Sequence, residues 1–402
     1  MKIPMSSPEL NDADRQAVLG VLNTPHLSMG PKIEAFERAF CKLTGAPHAI
    51  GVNSGTAGLH LCVRAAGIST GDLVLTTPFS FVASANVILF EKGVPVFVDV
   101  DPLTGNIDTS QLAQAVEALT AGGNSARKWL PRGIPVDIEE RSGTLKAILP
   151  VDVFGQPADY DRIHAIAQEY NLKVIEDSCE ALGATYKGRP AGTLGDCGVF
   201  AFYPNKQITT GEGGMIITDD GETADFMRAL RNQGRAPGDT WLQHTYLGYN
   251  YRLDEMSAAL GLAQLARLET LLENRARVAT WYEKHLAKID LVSPPNLAAS
   301  TTRVSWFVYV IRVDPSINRD RLAKILDAQG IPVRPYFSPI HLQPYMVKTF
   351  GFRPGDFPVT EDLGNRSLAL PFSGTMTEAM VIEVCRALAD ALPASALLAG
   401  EH

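Results

Sequence analysis

The stretch Gly198-Val199-Phe200-Ala201-Phe202-Tyr203-Pro204-Asn205-Lys206, followed by Thr209-Thr210-Gly211-Glu212-Gly213-Gly214, runs an apolar strand into a turn that presents one lysine. A glycine-rich bend then leads into a second apolar run, Met215-Ile216-Ile217-Thr218. A lysine shielded from water in such a turn gives up its proton more readily than a solvated one, which frees the amine as a nucleophile. A positioned amine can condense with an aldehyde to a Schiff base, and pyridoxal 5'-phosphate (PLP) is the commonest cofactor of that kind. Most lysines are simply solvated, so the weight of this reading rests on what surrounds the turn.

Working outward, short apolar runs alternate with helical patterns from about residue 47 to 220. Leu73-Val74-Leu75-Thr76, Val94-Pro95-Val96-Phe97-Val98, Ala147-Ile148-Leu149-Pro150-Val151 and Lys173-Val174-Ile175-Glu176 read as strands, with a helix over 159–170. That alternation predicts an α/β layer with a mostly parallel sheet. Residues 254–289 lack proline, and Ala258, Leu262, Leu265, Leu268 and Leu272 recur at helical spacing, which predicts one long linking helix. Beyond Pro294-Pro295, a strand at Phe307-Val308-Tyr309-Val310-Ile311 and helices over 319–329 and 377–392 predict a small α+β unit. The expected division is a large α/β domain over 1–253 and, over 254–402, the linking helix with the small C-terminal domain. The polar, glycine-rich segment 121–143 breaks the alternation and reads as a surface excursion.

A chain of 402 residues is long enough for one large core and a smaller one. Its net charge of −8 and lack of a long basic run argue against a nucleic-acid partner. No apolar stretch is long enough to cross a bilayer, and Met1-Lys2-Ile3-Pro4-Met5 lacks the apolar core of a signal peptide. The five cysteines are scattered without CxxC spacing, which predicts reduced thiols, a cytoplasmic setting and no metal site.

Three other places suit chemistry. Asn53-Ser54-Gly55-Thr56-Ala57-Gly58 precedes an apolar helical run, so it is either a phosphate turn at a helix N-terminus or an ordinary cap by Ser54 or Thr56. Asp177 ends a strand, where ligands bind in open α/β sheets; it suits the acid that a pyridine nitrogen needs, and equally a helix cap or ion pair. Phe79 and Phe81 follow another strand end, and either ring could stack on a flat cofactor or pack in the core.

The order of these features, with Leu27-Ser28-Met29-Gly30-Pro31, Pro78-Phe79-Ser80-Phe81, Asp99-Val100-Asp101-Pro102, Ile175-Glu176-Asp177-Ser178-Cys179-Glu180, Leu247-Gly248-Tyr249-Asn250-Tyr251-Arg252 and Pro339-Ile340-His341, resembles the DegT/StrS family of PLP-dependent nucleotide-sugar aminotransferases over nearly the whole chain. The resemblance implies a fold-type I PLP transferase. It implies that Lys206 is the Schiff-base lysine, Asp177 the partner of the ring nitrogen and Phe81, ahead of Phe79, the stacking ring. Gly55, Thr56 and Ala57 become the phosphate turn. Asn250 is expected to reach the phosphate of a neighbouring subunit, which implies a homodimer with shared active sites. Arg252 and His341 are candidates for contact with substrate. The implied reaction moves an amino group from glutamate to a nucleotide-linked keto-sugar; sugar, nucleotide and carbon are left open.

Two departures stand out. Ala201 occupies a position where the family usually has a phosphate-binding serine, and Glu180 one usually filled by glutamine or histidine near the cofactor oxygen, so its carboxylate either meets like charge or turns away. A related subset that removes a sugar hydroxyl replaces the lysine with histidine. Retention of Lys206 favours transamination over that dehydrase, and Lys206, Asp177 and Asn250 together argue against a PLP-binding regulator without turnover.

Overall fold

The computed structural model describes residues 3–133 and 144–397. Its centre is a seven-stranded sheet in the order His48–Val52, Gly214–Thr218, Cys197–Ala201, Lys173–Asp177, Leu145–Ile148, Leu73–Thr76, Val94–Phe97. Gly214–Thr218 runs antiparallel to both neighbours and the other strands share one direction. The four residues of Leu73–Thr76, Val94–Phe97 and most of Lys173–Asp177 are buried, as expected of a sheet covered on both faces. Helices Gly55–Ala65 and Tyr160–Tyr170 are among those that pack on it.

The expected helix over 254–289 is two helices, Glu255–Leu265 and Leu268–Leu286. Arg267 leaves helical geometry at φ −121° and ψ 22° and opens the second helix. Its guanidinium is drawn to the N-terminal segment, where it meets Asp14 at 2.8 Å and Glu9 at 3.1 Å. An ion-paired side chain thus marks the break that apolar spacing alone reads through. In the second helix Leu268, Leu271 and Leu272 pack with Phe36, Phe200 and Phe202 beside the large sheet, while Val278, Tyr282 and Leu286 pack with Tyr309, Leu370 and Leu388. A four-stranded antiparallel sheet, Val292–Ser293, Tyr309–Val313, Ser367–Leu370, Arg334–Pro335, supports this second core.

The described part of the 121–143 excursion forms a short helix, Gly123–Arg127, and then docks: Arg132 makes a two-armed contact with Asp356 at 2.6 and 2.7 Å, and Gly133 N–H donates to Phe350 O. Residues 134–143 lie outside the described residues. Among the described residues, no helix is long and apolar enough to cross a membrane.

Candidate active site

The site gathers where the parallel strands end. Lys173–Asp177 delivers Asp177 and then Glu180, and Cys197–Ala201 runs into the turn that carries Lys206. The Lys206 side chain is only 12% exposed, and its Nζ lies 3.6 Å from Glu180 Oε1. Below it sits the face of Phe307, whose centroid is 3.7 Å from Nζ; a desolvated cation over a ring gains about 2 kcal/mol. Glu180 therefore turns toward the lysine. Its other oxygen accepts the Phe154 N–H at 2.9 Å. Burial raises the Glu180 pKa, while the Lys206 charge and the Phe154 amide pull it down.

Asp177 is buried, and its Oδ1 accepts the Cys179 N–H at 3.2 Å. Burial pushes its carboxyl above the usual range; bonding from the Cys179 thiol and amide, and then the Lys206 charge, oppose that.

At the start of helix Gly55–Ala65, Ser54 accepts the Ala57 N–H at 3.0 Å. The cap occupies the same turn that the phosphate reading uses. Ala57 is spent on the cap, while the amides of Gly55 and Thr56 have no carbonyl behind them in the helix to bond. A Cβ on Gly55 would fall 2.7 Å from Ala201 Cβ and 2.8 Å from Cys179 Sγ, so only glycine lets the helix start press this close. The nearby hydroxyls of Thr209 and Thr210 already donate to Phe202 and Glu212 carbonyls.

Of the two phenylalanines, Phe79 is 1% exposed and packs edge-on against Phe154 and Phe337, whereas Phe81 is 64% exposed. Phe81 is the ring with a face to offer. Asn250 is exposed; its backbone carbonyl accepts from Asn53 Nδ2 at 3.4 Å, which sets the 250–252 segment beside the 53–57 turn of its own chain. Arg252 donates to Asn232 Oδ1 at 3.0 Å. His341, read as a substrate contact, is instead fully enclosed: its Nε2 lies 3.0 Å from Glu361 Oε1, and Phe357 packs against its ring. A side chain with no exposed surface has none to offer a ligand. Its neighbour Ile340 donates its N–H to Pro78 O, so this segment braces the loop that leads to Phe81.

Several residues at the site escaped the sequence reading. Phe307 and Phe154 come from distant turns, and nothing in their local pattern marks them. Gln207 donates through Nε2 to Glu180 O at 2.6 Å and to Ser305 Oγ at 2.7 Å. Arg275 reaches the Lys206 carbonyl at 2.7 Å from the second linking helix. Gly155, at φ +88°, lies so close to Ser305 that an added Cβ would fall 1.7 Å from its carbonyl oxygen.

These residues fit PLP. Free amides at a helix start suit its phosphate, Phe81 its ring face, the Asp177 carboxylate its ring nitrogen, and Lys206 its aldehyde. The comparisons agree. Residues 8–389 match the model of the DegT/DnrJ/EryC1/StrS aminotransferase family. The chain is 38% identical to the GDP-perosamine synthase of Caulobacter vibrioides over 395 residues, covering 97% of this chain and 98% of that one. It superposes on Helicobacter pylori PseC, an aminotransferase involved in the biosynthesis of pseudoaminic acid, with TM-score 0.86, 27% identity and coverage of 98% and 100%. A Streptococcus pneumoniae protein solved in its PLP form matches with TM-score 0.85, 25% identity and coverage of 99% and 100%. A family match that runs almost from end to end establishes that the chain belongs to the DegT/DnrJ/EryC1/StrS aminotransferase family and takes PLP as its cofactor.

Proposed function

We propose that this aminotransferase moves an amino group from glutamate to a nucleotide-linked keto-sugar. The observation that carries the proposal is the retained Lys206, shielded and held 3.6 Å from Glu180. The substrate class is supported by the 38% identity to a GDP-perosamine synthase across both chains; the glutamate donor rests on the family resemblance.

When bound, PLP supplies a carbonyl to receive the donor's nitrogen and an electron-withdrawing ring. Lys206 Nζ anchors it at rest. With the cofactor linked to the donor instead, the freed Lys206 amine would serve as the base that moves a proton at the site. Asp177 keeps the proton on the ring nitrogen. Glu180 faces Nζ at 3.6 Å, which places it to exchange a proton with the amine. The Gly55 and Thr56 amides and the Phe81 face orient the cofactor.

The direct test incubates PLP-loaded protein with glutamate and a panel of keto-sugars, with and without nucleotide, and looks for product by mass spectrometry. A nucleotide-linked amino sugar is expected. Failure of every nucleotide-linked substrate alongside amination of a free sugar would overturn the substrate class.

We further propose a cytoplasmic homodimer in which Asn250 serves the neighbouring site. Trp241, Leu242 and Leu247, just ahead of Asn250, are 77%, 83% and 82% exposed, which supports a protein partner over this segment. Mixing inactive Lys206→Ala with inactive Asn250→Asp chains should restore activity, up to about half per heterodimer, because one site regains both residues. No recovery in demonstrated heterodimers would return Asn250 to its own subunit's site or remove it from the site.

A further inference from the structure

We infer that Arg275 is a positioning residue that sets Lys206 over Phe307. It lies in the helix Leu268–Leu286, 4% exposed, and reaches two separate turns at once. One side of its guanidinium donates to Asn205 O at 3.2 Å and Lys206 O at 2.7 Å. The other donates to Trp306 O and Phe307 O, both at 3.2 Å. No carboxylate among the described residues forms an ion pair with it. Burial lowers its pKa to about 10 and the Glu9 charge opposes that, so the group stays charged at neutral pH.

A buried cation with no ion-paired carboxylate, met by four carbonyls and by the Phe372 ring 5.9 Å away, is an expensive way to hold a fold together. Its geometry suggests what it accomplishes. The four carbonyls belong to the residue that bears the reactive amine, the residue before it, the residue that bears the ring beneath that amine, and the residue before that. A planar fork with five donors can bridge two chain segments, whereas an ammonium acts as a single point. Gln207, which joins Glu180 to Ser305, laces the same two turns from the other side. The reactive amine, its acid and its ring thus come from three distant parts of the chain, and Arg275 fixes the distance between two of them. Displacing a reacting group by about 1 Å can cost about a hundredfold in rate.

This inference rests on Lys206 being the PLP-bearing lysine, and wild-type protein tests that first: apoprotein mixed with PLP must develop the visible band of lysine-linked cofactor. The Arg275 experiment then compares the rate of that band's appearance, and its circular dichroism, in Arg275→Lys. The variant keeps the charge and cannot reach both turns. With native far-ultraviolet dichroism, it should link PLP at least about tenfold more slowly, show a weakened visible dichroic band, and lose kcat with KM for the amino donor within about twofold. Phe307→Leu, which keeps the carbonyl anchor and removes the ring, should slow linkage in the same way. The double variant should be no slower than the worse single one, because both changes undo one arrangement. Normal linkage in folded Arg275→Lys, or additive losses in the double variant, overturns the inference. Should Arg275→Lys not fold, Phe307→Leu decides alone, and normal linkage there overturns it.

Discussion

Glu176 and Asp177 are consecutive acids at the end of one strand, and they face opposite fates. Glu176 is fully buried and saturated: Oε1 accepts from Gly192 N–H at 2.6 Å and Ser178 Oγ at 2.8 Å, and Oε2 accepts from Leu194 N–H at 2.6 Å. Asp177 accepts from the Cys179 amide and thiol, and the Lys206 charge acts on it. Strand geometry sends adjacent side chains to opposite faces, so one acid is spent on the fold and the other lies on the opposite face of the sheet. An acid whose bonding capacity is spent on the chain is structural, and one left with capacity is available to a ligand.

The saturated side holds a second carboxyl. Ser178 Oγ lies 2.6 Å from Asp152 Oδ2 and 2.8 Å from Glu176 Oε1. A hydroxyl has one hydrogen and cannot donate to both, so one carboxyl must be protonated. Both Glu176 oxygens already accept backbone N–H groups, and against the rise that burial gives the Glu176 pKa a side-chain hydrogen bond from Asp152 lowers it, which assigns the proton to Asp152. Burial, with the Glu176 charge beside it, raises the Asp152 pKa well above the usual carboxylate range.

The comparison can be broken in order of expected effect. Lys206→Ala should retain PLP through its phosphate and ring contacts, yet slow each half-reaction by at least about a thousandfold, read by single-turnover absorbance. Asp177→Asn keeps the shape and removes the charge; donor half-reaction rates should fall by about a hundredfold or more while the unfolding midpoint barely moves. Near-normal rates would make Asp177 structural and erase the contrast with Glu176. Glu176→Gln does the reverse. It turns an NH2 group against a backbone N–H and should cost about 2–4 kcal/mol in urea unfolding, with activity per folded molecule little changed.

Asp152→Asn should have the smallest effect, under about 1 kcal/mol, because an amide NH2 donates to Ser178 as the protonated acid does. Its signature is in pH. The folded-state pKa of Asp152 lies above its unfolded value, so across the window between them the folded chain holds more protons than the unfolded one. Stability therefore falls as pH rises through that window. The Asn variant has no such proton to lose, and its unfolding midpoint should decline less over the same range. An unchanged slope would move the proton elsewhere.

Much of this was legible in the sequence. The strand and turn at 198–206 and the alternation around it led to the sheet, and Lys206, Asp177 and the Gly55 turn stand where strand ends and helix starts put them. What escaped has a common physical cause. Phe307, Phe154 and Arg275 reach Lys206 or Glu180 across long chain separations, through a ring face, an amide and a guanidinium bound to carbonyls. Such contacts leave no local periodicity. The break at Arg267 was missed for the same reason, because its ion partners Glu9 and Asp14 lie at the other end of the chain. His341 carried a resemblance in its motif, but its burial against Phe357 and Glu361 is set by tertiary packing.

The chemistry of the site depends on which amine bears the cofactor. PLP-loaded protein reduced with borohydride, digested and mapped by mass spectrometry should carry the reduced pyridoxyl group on the peptide containing Lys206. An adduct on any other lysine would contradict the account.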